Sequence, residues 1–339
     1  MDKRTGGAGA LFTMVGTVVG AGFVSGRELL QFFGSFRLSL VCMAGLLFFA
    51  GFFLFVRLGK KFGGFEGAMK GAFGKFAPFV KAVVLFGSFV SCAGMLSASN
   101  ALLPRAVPFL SLAFLAVACL VAERGMRGVG ALNLIVMPAL LLCVAGLVFS
   151  RGALSRPEPP AADFPDLLSV VLYVGMNTFL SMPVLCELGA HAKSGGGFLC
   201  AASAFVIAAA VGLVLSAVCS DKNSYPYDLP LAYVLGGSRL FSALASGGML
   251  TTLVSSFYPL YAPAGKKWGA GGKIVLVAAA ELCSFVRFRS IVAVVYPMLG
   301  AFGTLACAVA AGGRLCGLRR AGKRRKKVNF SVKEKKEFY

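Results

Sequence analysis

Gly16-Thr17-Val18-Val19-Gly20-Ala21-Gly22-Phe23-Val24-Ser25-Gly26-Arg27-Glu28 is the stretch on which the reading of this chain turns. It is apolar enough to enter a bilayer, yet it carries four glycines and the hydroxyls of Thr17 and Ser25. Each glycine costs a helix interior about 1 kcal/mol relative to alanine. In lipid, irregular backbone persists only where protein or a water-filled cavity satisfies its polar groups. The stretch therefore predicts a spanning helix broken near its middle, and a broken span points to a binding site at membrane depth.

The rest of the chain supports a bilayer as its solvent. Of its 339 residues, 58% are hydrophobic and 14% charged, where soluble domains carry about 25% charged residues. A spanning helix needs about 20 apolar residues. Apolar runs lie at 8–33, 38–57, 79–103, 106–123, 129–150, 165–190, 197–220, 238–262, 273–288 and 290–313. The fold class read from them is an all-α polytopic membrane protein of ten transmembrane helices. With the N-terminus inside, 25 of the 34 Lys and Arg residues fall on the cytoplasmic side. That bias is the positive-inside rule. It predicts both termini in the cytoplasm of an integral protein of the bacterial inner (plasma) membrane.

The chain has a net charge of +21, and eleven of its 34 Lys and Arg residues lie in the segment 314–339, with Arg319-Arg320 and Lys323 to Lys327. This basic tail reads as a topological anchor touching anionic lipid headgroups. No aromatic platform accompanies it, so no nucleic acid is expected as a partner. The ten cysteines form no CxxC pair and lie mostly in apolar runs, where thiols pack as small hydrophobes. No disulfide framework and no cysteine metal site is expected. The basic, apolar N-terminus mimics a signal peptide; it reads as retained, because removal would spoil the charge alternation.

The runs divide at the longest outer loop, 151–163, where Arg156-Pro157-Glu158-Pro159-Pro160 makes a stiff polar connector. The division gives an N-terminal repeat over 1–150, the connector, a C-terminal repeat over 164–313 and the tail. Five spans per half would give the halves opposite orientations, an inverted repeat. The first run of the second half contains Tyr173-Val174-Gly175-Met176-Asn177-Thr178-Phe179-Leu180-Ser181-Met182-Pro183. Gly175, the polar side chains and Pro183 all weaken a helix, so this sixth span is predicted to be interrupted as well.

The first-span sequence, with Tyr173-Val174-Gly175-Met176-Asn177, resembles the YkvI-like amino-acid permeases of the amino acid–polyamine–cation superfamily. The spacing of Gly16, Gly20 and Gly22 also resembles the broken first helix of neurotransmitter:sodium symporters. The resemblance implies a LeuT-type fold, a five-plus-five inverted repeat with broken helices 1 and 6 and substrate held between them. It further implies a sodium site on the carbonyls of Gly16, Val19 and Gly248 and the hydroxyls of Thr251 and Thr252. Some related proton-coupled permeases carry a lysine in the fifth helix instead. The run 129–150 has none, which favours sodium.

The residues themselves suggest a substrate carboxylate against the backbone of Gly20, Ala21, Gly22 and Phe23, with Ser25 beside it. A helix N-terminus offers free N–H groups and a positive dipole end there, and a Cβ would obstruct the approach. The same glycines also form small-xxx-small packing motifs. Tyr173, Gly175, Met176, Asn177 and Phe179 would line the side-chain pocket. Threonines at 251 and 252 could equally bond back to their own helical turn. Glu28, Glu187 and Glu281 are gate or proton candidates, since carboxylates within spans are costly; Glu28 neighbours Arg27, and Glu281 could pair with Arg287. Helix pairing or an interfacial place explains each of them too. His191 and Trp268 read as interfacial. The third span offers Ser91, Cys92 and Met95 but no tyrosine, where the sodium symporters use one on the substrate carboxylate.

The expected function is a secondary transporter, a permease for a small amino acid or related zwitterion, coupled to sodium or protons by alternating access. A channel or passive pore, or a membrane receptor using the same pocket, is the alternative. One histidine at a membrane edge leaves no nucleophile–base pair or metal cluster for an enzyme. No cofactor is expected beyond a possible Na+.

Overall fold

The computed structural model describes residues 7–102, 109–158, 163–192 and 196–312. The basic tail, Arg105, Lys193, Cys316 and positions 159–162 of the connector lie outside the described residues. Among those described, the secondary structure is helical with no strand.

The opening run is divided into three helices, α1 (Gly7–Gly16), α2 (Ala21–Ser25) and α3 (Arg27–Phe33). The hydroxyls of Thr13 and Thr17 donate to the carbonyls of Gly9 and Met14, both at 2.7 Å. Such back-bonding competes with the backbone ladder, and α1 stops at Gly16. Across the break, the N–H groups of Val19 and Gly20 go to the carbonyls of Val15 and Val18. Gly26, with φ of 75°, turns α2 into α3. A side chain there would be strained by that φ, and its Cβ would meet Val218 at 2.6 Å.

Then follow α4 (Leu38–Phe62), α5 (Phe65–Phe73), α6 (Ala77–Leu102), α7 (Phe109–Glu123) and α8 (Gly125–Ser150). The second half holds α9 (Phe164–His191), α10 (Gly196–Cys219), the short α11 (Pro230–Val234), α12 (Arg239–Cys283) and α13 (Phe288–Gly312). α4 closes on Lys60, Lys61 and a left-handed Gly63, a combination that suits a helix C-terminus. Among the described residues, seven helices are long and apolar enough to cross a membrane, and α1 and α7 are shorter apolar ones. The difference from ten runs is one of division. Two of the runs, 238–262 and 273–288, lie largely within α12 on either side of Gly269, whose non-helical backbone (φ 61°, ψ −146°) divides it into two helices.

One expectation is corrected. The sixth span is not interrupted: α9 is one continuous helix of 28 residues. Its weak points are absorbed by packing. The Asn177 amide donates to the Tyr173 carbonyl one turn back, at 3.0 Å. A Cβ on Gly175 would come within 2.9 Å of the Gly300 carbonyl of α13, so this glycine admits a neighbouring helix. Pro183 removes one backbone donor and α9 continues through it.

α9 packs along α4 and also touches α3 and α1, while α12 lies against α6, α7 and α8. Contacts between loops collect at two ends. At one, Arg37 pairs with Asp166 and, at 3.6 Å, with Glu158 of the connector; Ser216 and Ser155 bond there as well. At the other, Lys81 pairs with Glu66, and Lys273 with Glu123 at 2.5 Å.

Candidate functional site

The break in the first run is where chemistry converges. The Thr252 hydroxyl of α12 lies 3.0 Å from the Gly16 carbonyl and 3.3 Å from the Val19 carbonyl. One hydroxyl proton is thus shared between two carbonyls of the broken first run. Three oxygens meet at this point, and all belong to buried residues. Thr251 behaves differently: its hydroxyl donates to Gly248 in its own turn, at 2.8 Å. Of the five residues read as a sodium set, Gly16, Val19 and Thr252 are in mutual contact, while Thr251 and Gly248 bond each other.

The glycines earn a second explanation here. A Cβ on Gly20 would lie 2.6 Å from the Thr252 hydroxyl oxygen, and one on Gly248 would come 3.3 Å from Val24. A Cβ on Gly16 would collide with the amide oxygen of Asn133 on α8. Close helix approach therefore demands small residues at these positions, as the small-xxx-small reading anticipates. Asn133 itself escaped the sequence reading. Its amide nitrogen donates to Val129 at 2.8 Å, and its side-chain oxygen is buried with no partner among the described residues. A lone asparagine in an apolar run has no spacing that would single it out.

Gly20 is the residue before α2, with extended backbone (φ −115°, ψ −153°), and Ala21, Gly22 and Phe23 form its first turn. Phe23 is fully buried, and Ser25 accepts a hydrogen bond from the Arg27 N–H at 3.0 Å. Tyr173 stands between the rings of Phe32, Phe33 and Phe48, at centroid distances of 5.6, 5.4 and 6.0 Å. Its buried hydroxyl has no partner among the described residues. Gly175 faces α13, and the Phe179 Cβ lies where a Cβ on Gly303 of α13 would come within 2.8 Å. Met176 and Asn177 are buried, the latter bonded within its own helix. On α6, Ser91 accepts from Ser256 of α12 at 3.1 Å, and the Cys92 thiol faces the Leu253 carbonyl at 3.9 Å.

The three carboxylates separate clearly. Glu187 accepts the Phe65 N–H at 3.0 Å and so caps α5. It also lines a cavity of about 440 Å³ with Arg124, Arg127, His191 and Tyr258. Glu281 accepts from Ser111 at 2.7 Å. The expected Glu281–Arg287 pair is not formed among the described ion pairs; Arg287 starts the next helix after a turn, and Ser111 fills the place beside the carboxylate. Glu28 is buried and hydrogen-bonded to the Tyr296 hydroxyl of α13. Arg27 points away from it and donates to the Tyr225 carbonyl at 2.6 Å, so adjacent residues 27 and 28 do not form a paired gate. Tyr296 is the second residue that sequence reading missed. A Cβ on Gly94 of α6 would lie 3.3 Å from its hydroxyl, so α13 brings to the third span the tyrosine that α6 lacks.

Among known proteins, the chain is 25% identical over 332 residues to the uncharacterized membrane protein YkvI of Bacillus subtilis (strain 168), covering 88% of this chain and 94% of that protein. No protein-family model matches the sequence. Among solved structures, MhsT in complex with L-phenylalanine superposes with a TM-score of 0.62 at 14% identity, over 89% of this chain and 87% of that one. Inward-facing Mhp1 gives a TM-score of 0.52 at 13% identity, over 90% of this chain and 75% of that one. The chain is a homologue of the membrane protein YkvI and shares with MhsT and Mhp1 the LeuT-type fold that its first span anticipates.

Proposed function

We propose that this protein is a secondary transporter that moves a small amino acid or related zwitterion across the bacterial inner membrane by alternating access. The observation that carries the reading is the contact of Thr252 with the carbonyls of Gly16 and Val19 across the break. Hydroxyl and carbonyl oxygens are the ligands a hard cation takes, and three of them already converge there. Sodium is the coupling ion of this reading, with Gly248 and Thr251 completing its shell when Thr251 turns from its own helix. The substrate carboxylate is held by the backbone of Gly20, Ala21, Gly22 and Phe23, with Ser25, and Tyr173, Met176 and Asn177 form the neighbouring wall. The likeness to MhsT, whose structure holds L-phenylalanine, supports a small amino acid as cargo.

In this reading the runs make ten spans as five plus five, both termini are cytoplasmic, and the basic tail lies on anionic lipid. A thermal-stability screen of amino acids with and without sodium tests it. Ligand that binds only the native state raises apparent stability by about 2.7 kcal/mol at a concentration of about 100 Kd. A stabilising amino acid whose effect needs sodium supports the reading; stabilisation by no amino acid in either salt overturns it.

A further inference from the structure

Glu28 is 4% exposed, and no described ion pair includes it. The groups that face it come from every helix packed on α3. α9 presents the Tyr173 hydroxyl and α13 the Tyr296 hydroxyl, with the Cys92 thiol of α6 behind the latter. α10 has cysteines and no acidic or basic residue between Gly196 and Cys219, and α2 has no titratable side chain. Arg27, the adjacent residue, is committed to the Tyr225 carbonyl, and the charges acting on it are Asp228 and Arg289 at the loop end. A carboxyl thus sits on the broken span with hydroxyls around it and no counter-cation.

An ionised carboxylate in such a place costs several kcal/mol even after relaxation, and a group so buried neutralises instead. The neutralising cation must also fit. Leu29, Cys92, Tyr173 and Tyr296 around it are at most 1% exposed, and a proton needs no volume. The Tyr296 side of the site is built by a π turn, Ile291–Val295, which ends at Tyr296. Such turns are rare and are frequently found at functional sites. Neither Glu187, which caps α5, nor Glu281, which accepts from Ser111, combines these features.

We propose that Glu28 is a proton-binding site of the transport cycle. It holds one proton while α3 lies closed against α13, and gives that proton to water as the carboxylate when the two helices part. Tyr296 is its positioning residue. The role in a cycle rests on the transporter reading; the protonated carboxyl does not.

Infrared difference spectroscopy of the full chain in lipid nanodiscs reads the C=O stretch of a protonated carboxyl directly. At neutral pH the wild type shows such a band. It is lost in Glu28→Gln, displaced in Tyr296→Phe and kept in Glu281→Gln. A wild type without the band, or a band that survives Glu28→Gln, overturns the proposal. If Glu28→Gln does not fold, Tyr296→Phe decides, and an unmoved band overturns it. The two readings fail separately. Loss of the band in Glu28→Gln, with no amino acid taken up by the wild type, leaves the proton site and removes the transporter. Uptake into pyranine-loaded vesicles with undiminished proton movement in Glu28→Gln leaves the transporter and removes the proton site.

Discussion

Replacing Thr252 with valine keeps the shape of the side chain and removes one hydroxyl. In the wild type that hydroxyl serves the carbonyls of Gly16 and Val19 at 3.0 and 3.3 Å. One proton serves both, so the hydrogen-bond contribution is counted once, at about 0.5–1.5 kcal/mol. Where the substitution leaves a buried acceptor without a partner, the loss is instead that acceptor's desolvation penalty, about 1–3 kcal/mol. Without sodium, Thr252→Val should therefore be less stable by about 1–3 kcal/mol, the lower value applying if the carbonyls share another donor. Thr251→Val should lose less, about 0.5–1.5 kcal/mol, because its hydroxyl serves only Gly248 in its own turn. Unfolding can be followed with a thiol-reactive dye, since Cys92 and Cys186 are fully buried until the helices part. Sodium chloride is compared with choline chloride at equal ionic strength. The wild type gains stability in sodium, and Thr252→Val loses that gain. Equal stabilisation of wild type and Thr252→Val by sodium would refute the reasoning.

Other substitutions test the packing that positions the site. Gly59→Ala should destabilise by about 1–3 kcal/mol or more, because the new Cβ would collide with the Cys186 carbonyl and lie 2.5 Å from its Cα, backbone that cannot swing aside; thermal unfolding measures it. Gly146→Ala in α8 has nothing within 4 Å of its Cβ and should be neutral or stabilising by up to about 1 kcal/mol in the same assay. Glu187→Gln keeps an acceptor for the Phe65 N–H but removes the charge at the start of α5, and should cost about 0.3–1 kcal/mol, a loss that high salt diminishes. Arg37→Ala removes the cation that ties Glu158 of the connector to Asp166 of α9. Global stability should fall by no more than about 1 kcal/mol, while tryptic cleavage after Arg151, which Gly152 follows, quickens.

The broken first span was legible because four glycines and two hydroxyls within thirteen residues leave a helix little reason to continue. The pairing of Thr252 with that break was legible through the resemblance, since the eighth run places two hydroxyls three and four residues after Gly248. The same reasoning failed on α9. Gly175, Asn177 and Pro183 weaken an isolated helix, but here the glycine admits α13 and the asparagine bonds its own helix. Local propensity cannot tell a weak helix from one whose weak points meet a neighbour. Tyr296 and Asn133 were illegible for another reason. Each is a single polar residue in a long apolar run, and only the fold brings them to Glu28 and Gly16. The division of α12 at Gly269 falls in the gap between two of the runs, 238–262 and 273–288.

The most direct test of the central claim is uptake by the purified protein in proteoliposomes under an imposed sodium gradient, using the amino acid that stabilises it most. Accumulation should need the gradient and disappear in Thr251→Ala/Thr252→Ala. Accumulation unchanged in that double variant would contradict the sodium site, and steady single-channel current in a planar bilayer would contradict the transporter itself.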